Sequence, residues 1–321
     1  MNTLLKITPM AEPYACITWQ VNNFCNFQCS YCNPGNWAGD NRNNGDLEVY
    51  KSNTRKIFQT YQDKGYKHFK IFFSGGEPTY WENFIPLVEY LKEEIPGITI
   101  AVNTNLSRPL KYWEQHHHLF DDIVASFHVE FCKKDRYIEN AIFLCDKVDY
   151  LCTKMLMHEK RFWEVVEFGE RVRNEIPNYN LEWTPLFDEM SVNAGPWEYK
   201  DPAKSAFLEA AQFETVMRLP KPYRENKAIS IAHYDTGTEP VNSNKIISAR
   251  QNFFAGWKCQ VDDALFINPR GDISGASCGV GQTHGNIIDT DLTFDLNPVI
   301  CNKQHCHCGT DIIIPKEPIN V

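Results

Sequence analysis

The chain has 321 residues, 43% of them apolar, and a formal net charge of −9. That length accommodates one large α/β domain plus a small appendage, and the acidic balance argues against a nucleic-acid partner, which needs a basic surface. No apolar run approaches the ~18 residues of a membrane span, and the N-terminus lacks the basic, apolar and small-residue succession of a signal peptide, which points to the reducing cytoplasm.

Strand-like runs stand at 15–21 ("ACITWQV"), 68–74, 98–104, 122–128, 150–157 and 180–187. Between them lie helix-like stretches at 47–64, 82–94, 109–118, 135–147 and 160–175. In the last of these, Phe162, Val165, Val166 and Phe168 form an apolar stripe at helical spacing. "IPG" (95–97) and "IPN" (176–178) stop two of the helices, as proline does. Six alternations predict an α/β fold with a parallel sheet, doubly wound or a partial barrel, whose chemistry sits on the loops after the strands. "EQHHHLF" (114–120) reads as a helix end, because three consecutive histidines point in different directions and cannot share a metal.

After about residue 190 the pattern changes. A helix at 203–218 gives way to a Pro- and Asn-rich connector reaching about residue 250, then to short strands and turns with little helical periodicity. The expected division is 1–220, a connector at 221–250, and a cysteine-rich α+β unit at 251–321 that needs a metal to make up for a small core.

Twelve cysteines in a reducing compartment are poor candidates for disulfides. Cys16, Cys132, Cys145 and Cys152 sit in apolar runs and read as small buried hydrophobes. Cys25, Cys29 and Cys32 form a C-x₃-C-x₂-C loop directly after the first strand. Three thiolates suit three irons of a [4Fe-4S] cube and leave the fourth iron open. Zinc is the rival, but a structural zinc site takes four protein ligands, and the loop offers no fourth. One strand later comes "FSGGEPTYW", whose paired glycines allow close backbone approach to a ligand, with Glu77 able to accept from an ammonium group.

With these two motifs in this order, the chain resembles the radical S-adenosylmethionine superfamily, whose fold is a partial (β/α)6 TIM-like barrel. The resemblance implies that Cys25, Cys29 and Cys32 carry the cluster and that S-adenosylmethionine fills the open iron position. It maps the methionine contact onto Gly75, Gly76, Glu77 and Pro78, and the aromatic position near the adenine onto Tyr31. Ribose, carboxylate and adenine contacts in such proteins come from strand ends, here Asn103, Asn105, Ser126 and His128, with Met155 and Met157 on the wall; a hydrogen-bonded core role is equally open for His128. The resemblance also implies reductive cleavage of S-adenosylmethionine to a 5′-deoxyadenosyl radical, hydrogen abstraction from a substrate, and an electron donor such as flavodoxin or ferredoxin.

The stretch "GWKCQVDDALFINPRGDISGASC" reads as a hairpin with a cysteine at each end. It resembles the twitch or SPASM appendage, which implies an auxiliary [4Fe-4S] cluster held by Cys259 and Cys278 with two of Cys301, Cys306 and Cys308. Neither Gly271 nor Gly275 gives the usual Gly-x₄-Cys spacing, and the tail is Cys-x₄-Cys-x-Cys. Four thiolates would equally close a zinc site, with His305 and His307 as neighbours. About 14 residues precede the first strand, too few for a leader-binding domain, which favours a small-molecule substrate in natural-product or cofactor biosynthesis or a leader-independent peptide; a peptide to be epimerised, cross-linked or given a thioether is the alternative. A non-catalytic iron–sulfur or zinc protein is the alternative from another class.

Overall fold

The computed structural model describes residues 3–9, 14–39, 45–186, 198–211, 230–281, 283–289, 292, 296–306 and 308–319. A short N-terminal strand, β1 (Leu4–Thr8), precedes the repeating part of the chain. Strands β2 (Tyr14–Gln20), β3 (His68–Ser74), β4 (Thr99–Thr104), β5 (Asp122–Phe127), β6 (Tyr150–Met157) and β7 (Asn180–Pro185) then alternate with helices. These are α1 (Leu47–Asp63), α2 (Phe84–Glu94), α3 (Leu110–His116), α4 (Lys134–Leu144) and α5 (Phe162–Glu175). Strands β2 to β7 pair in sequence order, and every pair is parallel. Such an array needs a crossover at each step, and helices supply it. The sheet is the expected partial barrel: among the described residues its two outermost strands do not pair with each other.

Local sequence accounts for the element boundaries. Asp46 caps α1 by accepting from the Glu48 amide, and the histidine run ends α3 in a turn of 3-10 helix at His117–Leu119. The helices cover one face of the sheet with aromatic side chains. Trp19 on β2 meets Tyr50 of α1, and Phe127 on β5 stacks on Phe168 of α5 with ring centroids 3.9 Å apart. All four side chains are buried.

The C-terminal half is more ordered than its composition predicts. Helix α6 spans Pro202–Ala211, and the rest of the helix expected at 203–218 lies outside the described residues. The second part of the expected connector is folded: β8 (Ile231–Tyr234) and β9 (Gly237–Pro240) form a hairpin, followed by α7 (Ser243–Ser248). Then come β10 (Trp257–Cys259), β11 (Ala264–Ile267), β12 (Asp272–Ser274), β13 (Thr283–Asn286), β14 (Val299–Ile300), α8 (Gly309–Ile312) and β15 (Lys316–Pro318).

Two sheets stitch this half to the rest. Strand β11 pairs in parallel with β2, so the large sheet runs β13-β12-β11-β2-β3-β4-β5-β6-β7. The expected β11–β12 hairpin is present, turning through "NPRGD" with Gly271 at φ 89°. The small sheet runs β14-β10-β15-β1-β8-β9, with β1 between β15 and β8. The cysteine-rich unit therefore borrows a strand from the other end of the chain, and its own apolar cluster is built on Leu4, Ile7, Ala232, Ile246, Phe254 and Ile312.

Candidate active site

The chemistry-bearing segments collect at the C-terminal ends of consecutive parallel strands. The Cys25–Cys32 loop follows β2 and the Gly-Gly-Glu-Pro turn follows β3. Asn103 to Asn105 close β4, and Ser126 to His128 close β5. A parallel sheet places its loops and functional side chains at this edge.

Asn22 fastens the first two segments together. Its carbonyl and its side-chain oxygen both accept from the Gly76 amide, at 3.0 and 3.1 Å, and its Nδ2 donates to the Glu77 carbonyl at 3.0 Å. The Glu77 amide donates to the Phe24 carbonyl at 2.8 Å. Gly75 is at φ 126°, and a Cβ there would lie 2.5 Å from the Asn22 carbonyl oxygen. Only glycine fits that conformation and that approach.

Glu77 is 1% exposed, and its carboxylate accepts four hydrogen bonds. They come from Thr79 Oγ1 (2.7 Å), Thr79 N (3.3 Å), Thr104 Oγ1 (2.7 Å) and Asn105 N (2.7 Å). Burial pushes its pKa up, while the hydrogen bonds from Asn105, Thr79 and Thr104 pull it down. The expectation that this carboxylate pairs with a ligand ammonium is therefore corrected. Its acceptor capacity goes to binding the turn to the end of β4, which leaves the turn's backbone to meet a ligand.

The three cysteine thiols lie within electrostatic reach of one another. Burial pushes Cys25 up to about 11 and Cys29 up to about 12. Cys25 Sγ nonetheless accepts from the Phe27 amide at 3.3 Å and from Asn105 Nδ2 at 3.7 Å. Thiols supplied with N–H donors suit iron, whose positive charge turns them into thiolates. Among the described residues no three His, Cys, Asp or Glu side chains converge as ligands of a single metal ion. A cube poses a different demand, since each thiolate binds its own iron.

The remaining site residues divide by face. Asn103 and Ser126 share the inner face, joined from Ser126 Oγ to Asn103 Oδ1 at 2.9 Å. Asn105 Nδ2 donates to Asn26 Oδ1 at 2.9 Å, so its side chain braces the cysteine loop. His128 Nδ1 lies 3.3 Å from Cys29 Sγ and 2.9 Å from the Tyr31 hydroxyl. Burial lowers this imidazole to about 4, which keeps it neutral at pH 7.

Met155 does not belong to the site. It is fully buried and pairs in register with Phe127, whose ring packs on α4 and α5. It thus faces the helices, as does Met157 two residues on. The interior at β6 and β7 presents Lys154 and Glu182 instead, 3.5 Å apart. Sequence reasoning passed over both, and also Asn22, Glu130 and His158. Glu130 accepts from Ser30 N at 2.7 Å and from Ser30 Oγ at 2.6 Å, and His158 Nε2 stands 3.3 Å from it. The available signal was position: each of these residues lies on, or within a few residues of the end of, one of the six parallel strands.

Residues 19–178 match the family model of the Radical SAM superfamily. The chain belongs to the radical SAM superfamily. Members of that superfamily use a [4Fe-4S] cluster and S-adenosylmethionine. Its curated relatives include the GTP 3′,8-cyclase of Klebsiella pneumoniae subsp. pneumoniae, 29% identical over 107 residues, which are 32% of this chain and 31% of the relative. The GTP 3′,8-cyclase of Pasteurella multocida is 25% identical over 105 residues, 32% of this chain and 30% of the relative. The match thus spans about a third of those relatives. Among solved structures, histidine-tagged anSMEcpe with bound AdoMet superposes with TM-score 0.51 at 14% identity, over 87% of this chain and 79% of that one. Streptococcus suis SuiB bound to S-adenosylmethionine gives TM-score 0.51 at 18% identity, over 87% and 65%. At those identities the likeness concerns the fold.

The C-terminal cysteines of this radical SAM protein also gather. Cys278 is within electrostatic reach of Cys259 and Cys301, and Cys306 of Cys278 and Cys308. Asp311 holds the Cys278 turn, accepting from Ser277 N, Ser277 Oγ and Cys278 N at 3.1, 2.6 and 3.1 Å. Lys316, 2% exposed, donates to the Asp311 and Ile312 carbonyls. Lys154 lies within electrostatic reach of Cys308. His305 packs beside Phe253, and His307 lies outside the described residues. Of the four cysteines expected as hydrophobes, Cys145 and Cys152 are buried, and Cys16 and Cys132 partly so. No helix among the described residues is long and apolar enough to cross a membrane.

Proposed function

We propose that Cys25, Cys29 and Cys32 hold the [4Fe-4S] cluster of a hydrogen-abstracting enzyme acting on a small molecule. The observation that carries this reading is the joint built by Asn22 and Glu77. It binds the three-cysteine loop, the Gly-Gly-Glu-Pro turn and the end of β4 into one rigid edge. When bound, the cluster supplies the electron that splits S-adenosylmethionine into methionine and a 5′-deoxyadenosyl radical.

The chain's own residues do the rest. Gly75 and Gly76 let backbone approach the methionine end of the cosubstrate, and Asn103 and Ser126 offer polar contacts to its sugar and carboxylate. The inner face beyond them carries Lys154 and Glu182, charged groups suited to a polar substrate. Relatives named as GTP cyclases support a small polar substrate of the kind met in cofactor biosynthesis. Cys259 and Cys278, with two of Cys301, Cys306 and Cys308, hold an auxiliary cluster.

The test is anaerobic reconstitution followed by assay of 5′-deoxyadenosine under dithionite, with and without candidate nucleotides. Turnover-linked stimulation by a nucleotide is the expected result. Cleavage of S-adenosylmethionine with no response to any small polar substrate would turn the search to peptides.

A further inference from the structure

We infer that Tyr31 and His128 form a hydrogen-bond donor pair on the Cys29 sulfur and set the cluster's reduction potential through it. The inference rests on the reading that Cys25, Cys29 and Cys32 hold that cluster. His128 Nδ1 is 3.3 Å from Cys29 Sγ and 2.9 Å from the Tyr31 hydroxyl, and that hydroxyl lies within electrostatic reach of the Cys29 sulfur. A sulfur bound to iron has no proton to give, so the donors in this triangle are the imidazole Nδ1–H and the tyrosine O–H.

The triangle is clamped from outside. The Tyr31 and His128 rings are parallel within 2°, and Phe27 packs edge-on against the imidazole. His158 meets the Tyr31 ring edge-on with centroids 5.6 Å apart. Glu130 holds His158 and, through Ser30, returns to the same loop between two of the cysteines. The imidazole is thus fixed on the sulfur by contacts that begin and end on the cysteine loop.

One-electron reduction adds a negative charge that spreads onto the sulfurs. Donors on a sulfur stabilise that state more than the oxidised one and raise the potential, and burial strengthens the effect. Cys25 receives its closest donor from backbone, which substitution cannot remove. At Cys29 both donors are side chains.

The experiment compares wild type with Tyr31→Phe, His128→Phe, the double variant and His128→Gln, each reconstituted anaerobically without S-adenosylmethionine. Iron content and visible absorption report whether the cluster forms, which tests the cysteine reading separately. An EPR-monitored redox titration then tests the donor pair. At the wild-type midpoint, the reduced-to-oxidised ratio of the double variant is expected to fall about tenfold, or about 59 mV for one electron. Each single Phe variant should fall part of the way, and His128→Gln, which keeps an N–H donor, should stay near wild type. A loaded double variant with the wild-type midpoint would overturn the inference, as would a His128→Gln shift as large as that of His128→Phe. If the Phe variants take up too little iron, wild-type protein labelled with ¹⁵N-histidine decides. Pulsed EPR of its reduced cluster should show coupling to a histidine nitrogen, and the absence of coupling overturns the inference.

Discussion

Thr104 Oγ1 donates to the Glu77 carboxylate at 2.7 Å, which binds the end of one barrel strand to the glycine turn that follows its neighbour. With Thr79 and Asn105 completing the set, a charged side chain in a ligand-facing motif serves as an internal fastening. Glu77→Gln places an amide NH₂ among four donors. It is expected to cost about 1–3 kcal/mol of stability, with iron uptake and S-adenosylmethionine affinity falling together. Thermal unfolding, iron counting and ligand titration check this. A variant that assembles its cluster fully and loses only cosubstrate affinity would return Glu77 to a direct ligand role.

Gly75→Ala tests the same joint from the backbone side. The added Cβ meets the Asn22 carbonyl at 2.5 Å in a conformation that L-residues rarely adopt. A loss of about 1–3 kcal/mol follows, or roughly 2–4 °C in melting temperature per kcal/mol. A melting curve that matches wild type would mean the turn can relax away from Asn22.

Cys25→Ala, Cys29→Ala and Cys32→Ala should each abolish formation of 5′-deoxyadenosine, because each removes one of the three thiolates that would bind the cube. Reconstituted iron and product are measured on each variant. Undiminished product from any one of them removes that cysteine from the cluster.

The Cys25/Cys29/Cys32→Ala triple variant isolates the C-terminal cysteines. About four irons per chain with cluster-like absorption are expected after reconstitution without oxygen. Stoichiometric zinc in place of iron would make the unit a structural zinc module and remove the proposed auxiliary cluster.

Asn140 on α4 is fully buried and donates from Nδ2 to the Leu106 and Arg108 carbonyls at 3.0 and 2.8 Å. These bonds hold the turn after β4, where Leu106 takes a left-handed φ of 57°. Asn140→Ala leaves both carbonyls without this donor. A stability loss of about 2–4 kcal/mol is expected, with a visible drop in the denaturant midpoint. A change below about 0.5 kcal/mol would show that another donor takes over.

The sequence by itself determined the repeating part of the fold and the kind of chemistry. Apolar periodicity and proline stops place β2 to β7 and α1 to α5 within a few residues of their observed bounds, because local period and chain breakers act over a single turn or strand. The C-x₃-C-x₂-C spacing likewise carries its chemistry within one short loop. Tertiary structure decided what local pattern cannot encode. Strands covered on both sides show no clean alternation, so only pairing with Phe127 reveals that Met155 faces the helices and leaves Lys154 to the interior. Strands β1 and β11 gain their meaning from partners more than 200 residues away. The roles of Glu77 and His128 come from Thr104, Asn105, Cys29 and Tyr31, which only the folded sheet brings within hydrogen-bond distance. A hydrogen bond depends on a few tenths of an ångström and a direction, and that information exists only once the chain has folded.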